Sequence, residues 1–217
     1  MFVREYMSKN PVTITPDISV PDALRLMKEK KVRRLPVLNN HGKLIGIVSE
    51  KDLLLASPSP VTSLAVWELT DLMARLKVES VMKREVITIS EDTPLEEAAR
   101  KMVDHKIGGL PVMHGETMVG IITETDLFKQ LLAQLGGRRP GVRLTVAVSG
   151  VKGTLAKITE AIFNAGGNIV GLGLNEGVRS GETHWEIMFK VQDAAKEKVY
   201  EAVRPVVIEV LDSRESP

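Results

Sequence analysis

Two tetrapeptides carry the residue types best suited to chemistry: Ser49-Glu-Lys-Asp52 and Thr123-Glu-Thr-Asp126. In each, a hydroxyl precedes a carboxylate by three positions, where a β-branched run gives way to helical spacing. That spacing builds a capping box, in which hydroxyl and acid satisfy backbone N–H groups at a helix start. The same geometry suits a ligand. A helix N-terminus offers free N–H groups and a partial positive charge to phosphate. A nearby Asp accepts hydrogen bonds from the two hydroxyls of a ribose, and cap and ligand roles are compatible.

Other chemistries find little to build on. The chain has no cysteine, which excludes a disulfide scaffold, a thiolate metal site and a cysteine nucleophile. His41, His105, His114 and His184 are scattered, and none has metal-ligand spacing. There is no Gly-x-Ser-x-Gly elbow, no P-loop and no strand-linked Gly-x-Gly-x-x-Gly. Neither an enzyme nor a bound cofactor is expected.

The two tetrapeptides belong to a larger repetition. Residues 7–38 align with 82–113 at a constant offset of 75, with identities at Met7/Met82, Thr13/Thr88, Ile14/Ile89, Asp17/Asp92, Ala23/Ala98 and Met27/Met102. Leu35-Pro36-Val37 returns as Leu110-Pro111-Val112, and Gly46–Leu53 returns as Gly120–Leu127. Each unit reads as β-α-β-β-α. Val12–Ile14 and Val86–Ile89 are short β-branched runs. Ser19-Val-Pro-Asp22 and Thr93-Pro-Leu-Glu96 look like capping boxes before helices, each with Pro in the first turn. Leu35–Leu38 with Leu44–Val48, and Leu110–Met113 with Met118–Ile122, form hairpins, and a second helix follows each. One unit is too small to bury both faces of its sheet, so the two should pack as a pair.

Residues 57–77 join the units and place Leu64, Trp67, Leu69, Leu72, Met73 and Leu76 at helical intervals. This reads as a connecting helix docked on the pair, with a partner-binding helix as the alternative. A Gly- and Arg-rich linker at 136–142 ends the second unit, which gives repeats at 1–56 and 78–135. Beyond it, 143–217 reads as β-α-β-β-α-β, a ferredoxin-like order, and the fold class is α+β.

Length and charge bound the domain count and the class of partner. The 217 residues carry 29 Lys and Arg against 28 Asp and Glu, a net charge of +1. Nucleic acid is therefore not expected as the main partner, since only Arg138-Arg139 and Lys28–Lys31 speak for it. No window approaches ~18 apolar residues and Met1–Tyr6 lacks a signal-peptide stretch, so the expectation is a cytoplasmic protein without membrane contact.

Tandem units ending in Gly46-Ile-Val-Ser-x-x-Asp52 and Gly120-Ile-Ile-Thr-x-x-Asp126, each with Leu-Pro-Val upstream, resemble a pair of CBS domains, a Bateman module. The resemblance covers about residues 1–135. It implies binding of an adenosine-containing ligand such as AMP, ATP, S-adenosylmethionine or a dinucleotide in clefts between the repeats. By the same resemblance, Ser49 with Asp52 and Thr123 with Asp126 match the phosphate and ribose positions. Thr13-Ile14 and Thr88-Ile89 match the segment near adenine, and Pro36, Leu110 and Pro111 belong to the recurring Leu-Pro-Val motif. Arg33-Arg34 in one repeat stand where the other has Gly108-Gly109. The family often meets phosphate there, and the fork of an arginine suits it. Two solvated surface arginines are the alternative.

Gly153-Thr-Leu-x-x-Ile158 followed by Gly166-Gly-Asn-Ile169 resembles the ACT domain, whose members bind small effectors, amino acids above all. Asn168 matches a position that often holds the effector. An Asn after Gly-Gly also simply suits a turn. Gly150 stands where sensing members often carry Asp or Asn, so a role in dimerisation competes with amino-acid binding. The order CBS–CBS–ACT is similar to acetoin-utilisation regulators of the AcuB type. The resemblance thus implies a nucleotide sensor that acts through its ACT domain or a target enzyme and forms a homodimer or higher homo-oligomer. An amino-acid-responsive regulator whose repeats mainly oligomerise is the alternative.

Overall fold

The computed structural model describes residues 1–57, 74–179 and 182–216. The chain divides into two compact units, Met1–Leu127 and Phe128–Pro217. The division falls inside a helix, Glu124–Gln134, ahead of the glycine-rich linker. The expected connecting helix falls mostly on 58–73, outside the described residues. Of its apolar stripe, Leu76 is described and packs on the first repeat's core.

The first unit opens with a short helix α1 (Val3–Tyr6) and strand β1 (Ser8–Lys9). The first repeat follows: helix α2 (Val20–Lys30), hairpin β2 (Arg34–Leu38) and β3 (Leu44–Ser49), and helix α3 (Glu50–Ala56). The second has strand β4 (Ile89–Ser90), helix α4 (Leu95–His105), hairpin β5 (Gly109–His114) and β6 (Thr117–Thr123), and helix α5 (Glu124–Gln134). Apolar side chains at helical spacing bury one face of each first helix: Val20, Ala23 and Met27 in α2, Leu95, Ala98 and Met102 in α4. Both helices stop on a lysine in the left-handed conformation, Lys31 at φ 55° and Lys106 at φ 53°.

Their starts differ. Ser19 Oγ accepts the Asp22 N–H at 3.2 Å, one half of the expected capping box. The box expected at Thr93 does not form, because Pro94 occupies the cap position with no side-chain cap. The Leu95 N–H goes instead to the Met1 carbonyl at 3.3 Å, so a distant segment supplies the cap. The first strands are also shorter than the β-branched runs suggest. Ile14 forms a single parallel bridge to Val37, and β4 holds only Ile89 and Ser90.

The two repeats exchange their leading segments. β1 pairs with β6 of the second repeat, Ser8 opposite Ile121, and Val3 lies fully buried in that repeat's core with Leu110, Val112 and Ile122. Reciprocally, Lys83 bridges Ile47 of β3, and Val78 and Met82 are buried in the first repeat's core with Leu35, Val37 and Val48. Each core is thus completed by residues that precede the other repeat.

The second unit has strand β7 (Gly141–Val148), helix α6 (Thr154–Asn164), strands β8 (Asn168–Arg179) and β9 (Glu182–Gln192), helix α7 (Lys196–Val203) and strand β10 (Glu209–Ser216). Its antiparallel sheet has the order β10-β7-β9-β8. Leu144, Val146, Ile187 and Phe189 from the sheet bury against Ile158, Ile162, Val199 and Val203 from the helices. A 3-10 turn over Arg204–Val206, where Pro205 fixes the backbone, separates α7 from β10.

Candidate functional site

The chemistry expected of the tetrapeptides begins with their caps. At the start of α3, the Ser49 N–H donates to Asp52 Oδ2 at 2.9 Å and the Ser49 hydroxyl donates to the same oxygen at 2.5 Å. The Asp52 N–H returns a bond to Ser49 Oγ at 3.3 Å. At the start of α5, the Thr123 N–H and hydroxyl reach Asp126 Oδ2 at 3.0 and 2.7 Å. Both helix starts are therefore rigid before any ligand arrives. The second oxygen of Asp52 accepts no hydrogen bond among the described residues, which leaves it available to a ligand hydroxyl.

Asp52 borders a cleft of about 700 Å³ within the Met1–Leu127 unit. That volume lies in the range of small-molecule sites. The first repeat contributes Arg33, Arg34, Ile47, Ser49, Lys51 and Asp52, and the second contributes Lys83, Glu85, Val86, Ile87 and the stretch from His105 to Gly109, with Pro111. The exchange of leading segments brings Lys83–Ile87 here, because Lys83 is bridged to Ile47. Five cations, Arg33, Arg34, Lys51, Lys83 and Lys106, stand against three acids, Glu50, Asp52 and Glu85. An excess of positive charge beside a helix N-terminus favours an anionic ligand. Val86 and Ile87 add apolar surface to the lining.

The structure distributes the expected site residues unevenly. Arg33, Arg34, Ser49, Asp52 and Pro111 line one cleft. Ile14, Ile89 and Leu110 are buried in the two cores, with Ile89 paired to Val112. Thr88 borders a separate hollow of about 290 Å³ with Lys43, Arg84 and Glu116. Val86 and Ile87, just before Thr88-Ile89, line the Asp52 cleft, while the side chain of Ile89 lies in the core. Thr13 is half-buried beside Ile14, and the Pro36 carbonyl accepts the Ile14 N–H at 3.1 Å. Thr123 and Asp126 stand at the second helix start. Asn168 begins β8, exposed and opposite Gln192, in the other unit.

Sequence reading missed Lys83, Val86, Ile87, His105 and Lys106. For Lys106 a signal was present, since it repeats Lys31 at the end of an identically placed helix. Among the described residues, no group of three His, Asp or Glu side chains is placed to hold a metal ion. None of their helices is long and apolar enough to cross a membrane.

The paired repeats of the first unit carry a cationic, helix-capped cleft, and comparison with known proteins gives the family. The sequence model of the CBS domain matches residues 3–59 and 78–133. The chain belongs to the CBS-domain family. A CBS domain-containing protein of Dictyostelium discoideum is 35% identical over 136 residues, 62% of this chain and 94% of its own length. The CBS domain pair of protein MJ0100, in complex with 5′-methylthioadenosine and S-adenosyl-L-methionine, superposes with a TM-score of 0.52 at 29% identity, over 64% of this chain and 98% of that one. A crystal structure assigned to an acetoin utilization protein (AcuB) from Vibrio cholerae gives a TM-score of 0.53 at 31% identity, over 64% of this chain and 95% of that one. CBSX2 in complex with AMP gives 0.50 at 32% identity, over 60% and 96%.

Proposed function

We propose that the chain is a regulatory sensor of an adenosine nucleotide, held in the cleft bordered by Ser49 and Asp52. The observation that carries this reading is the convergence of a preformed helix start, a free Asp52 oxygen and five cations on one cleft. Asp52 takes the ribose hydroxyls. The N-terminus of α3, with Arg33, Arg34, Lys51, Lys83 and Lys106, neutralises phosphate. Val86 and Ile87 flank the base. Thr123 and Asp126 mark a second, pseudo-equivalent position. The complexes of the MJ0100 pair with adenosine derivatives and of CBSX2 with AMP support this ligand class.

The element order of the second unit, β-α-β-β-α-β with strand order β10-β7-β9-β8, supports an ACT-like, ferredoxin-like reading. In this reading the sensor works as a cytoplasmic homo-oligomer without catalysis of its own. Nucleotide occupancy is passed to the ACT-like unit or to a target enzyme.

Isothermal titration of the full chain with AMP tests the proposal. Asp52→Asn keeps an acceptor for the Ser49 hydroxyl but weakens the carboxylate's hold on ribose. Hydrogen bonds to a charged group contribute about 1.5–3 kcal/mol, so AMP affinity should fall at least tenfold. Wild-type affinity in Asp52→Asn and Asp126→Asn alike would remove these acids from the site.

A further inference from the structure

Gly108 and Gly109 mark where the repeats diverge most in charge, since the aligned positions are Arg33 and Arg34. Neither glycine has a positive φ, so the backbone there would accept any residue. Space is what forbids a side chain. A β-carbon on Gly108 would overlap Arg34 Nη2, and one on Gly109 would lie 3.2 Å from Arg34 Cδ. The Arg34 side chain therefore runs from the first repeat across both glycines of the second. Glu124 approaches the same place, with Oε2 2.5 Å from that β-carbon position.

The guanidinium is half-buried and makes no hydrogen bond or ion pair within 4.0 Å among the described residues. It is placed beside a carboxylate without being locked to it, on the wall of the cleft that holds Asp52. A phosphate in that cleft offers the same guanidinium a bidentate partner of higher charge.

We infer that Glu124 is a built-in competitor of the ligand's phosphate: its nearby charge favours the placement of Arg34 over Gly108-Gly109, and a phosphorylated ligand draws Arg34 away from it. Arg34 thereby selects phosphorylated over unphosphorylated adenosine compounds, and Glu124 sets how strongly. This rests on the nucleotide reading above, and the experiment separates the two.

AMP and adenosine are titrated into the full-length wild type, Glu124→Gln, Arg34→Gln and the double variant, with thermal unfolding confirming each fold. Glu124 is exposed, so its amide variant should fold normally. Linked binding equilibria are typically coupled fivefold or more. Glu124→Gln should tighten AMP about fivefold and leave adenosine unchanged. Arg34→Gln should bring AMP close to adenosine, and in that background Glu124→Gln should have no further effect. If AMP binds but Glu124→Gln leaves its affinity unchanged, the competitor role is overturned and the nucleotide reading stands. A gain that persists without Arg34 overturns it too, as a general field effect. Wild-type protein that binds neither compound overturns both.

Discussion

Met82 lies over Gly46: a β-carbon on that glycine would come within 2.6 Å of the methionine sulphur. The relationship is reciprocal, since Met7 stands over Gly120 at the same 2.6 Å. Each methionine belongs to the segment leading into one repeat, and each glycine lies in the second hairpin strand of the other. The pairs explain why two widely separated identities of the repeat, methionine at the front and glycine before the tetrapeptide, occur together.

Gly46→Ala should destabilise the first unit by about 1–3 kcal/mol, the usual cost of overpacking. The obstacle is a flexible thioether, although the Lys83 carbonyl also lies 3.2 Å away. Adding Met82→Ala should relieve part of that cost, so the double variant will be less destabilised than the sum of the singles. Urea unfolding of the four proteins measures the coupling, and strict additivity would show that the pair does not interact.

Gly171→Ala should cost more. There the β-carbon would meet backbone, 2.5 Å from the Leu135 carbonyl carbon and 2.7 Å from the Gly136 nitrogen. Backbone cannot rotate aside, so the turn after α5 must shift off β8. Denaturant titration should show a loss larger than that of Gly46→Ala, with increased hydrogen exchange around Leu135–Gly137.

The helix starts predict a stability effect separable from ligand binding. Ser49→Ala removes the acceptor of the Asp52 N–H and the donor to Asp52 Oδ2. Loss of such a cap costs about 1 kcal/mol. Thr123→Ala should cost a similar amount, read as a lower midpoint in chemical unfolding without nucleotide. Absence of any loss would mean that the hydroxyls serve ligand alone.

Lys190 predicts a pH dependence. Its side chain is 3% exposed, and its ammonium donates to the carbonyls of Gly141 and Ser216 at 3.3 Å each. Burial, with the neighbouring Arg143 charge, pushes its pKa below the usual lysine value of 10.5. Between the folded pKa and 10.5 the unfolded chain therefore binds more protons, and stability rises with pH across that window. Below the folded pKa the penalty is fully present. Lys190→Met should abolish this rise. Unfolding free energies measured from neutral pH upward check it, and identical slopes in the two proteins would refute the assignment.

The amino-acid sequence by itself determined the duplication, the hairpins, the hydroxyl–carboxylate caps of α3 and α5, and the β-α-β-β-α-β order of the second unit. All of these depend on neighbours in the chain: period-two or period-3.6 burial, turn residues and three-residue capping distances. Tertiary structure alone decided what distant segments do. The repeats exchange their leading segments, so Met1 caps α4 where Thr93 was expected to, and Val86-Ile87 reach the Asp52 cleft. Gly108-Gly109 read as a missing pair of charges until Arg34 is seen lying across them. Local patterns cannot report such contacts, because they arise when cores with similar needs are completed by whichever segment the paired fold brings near.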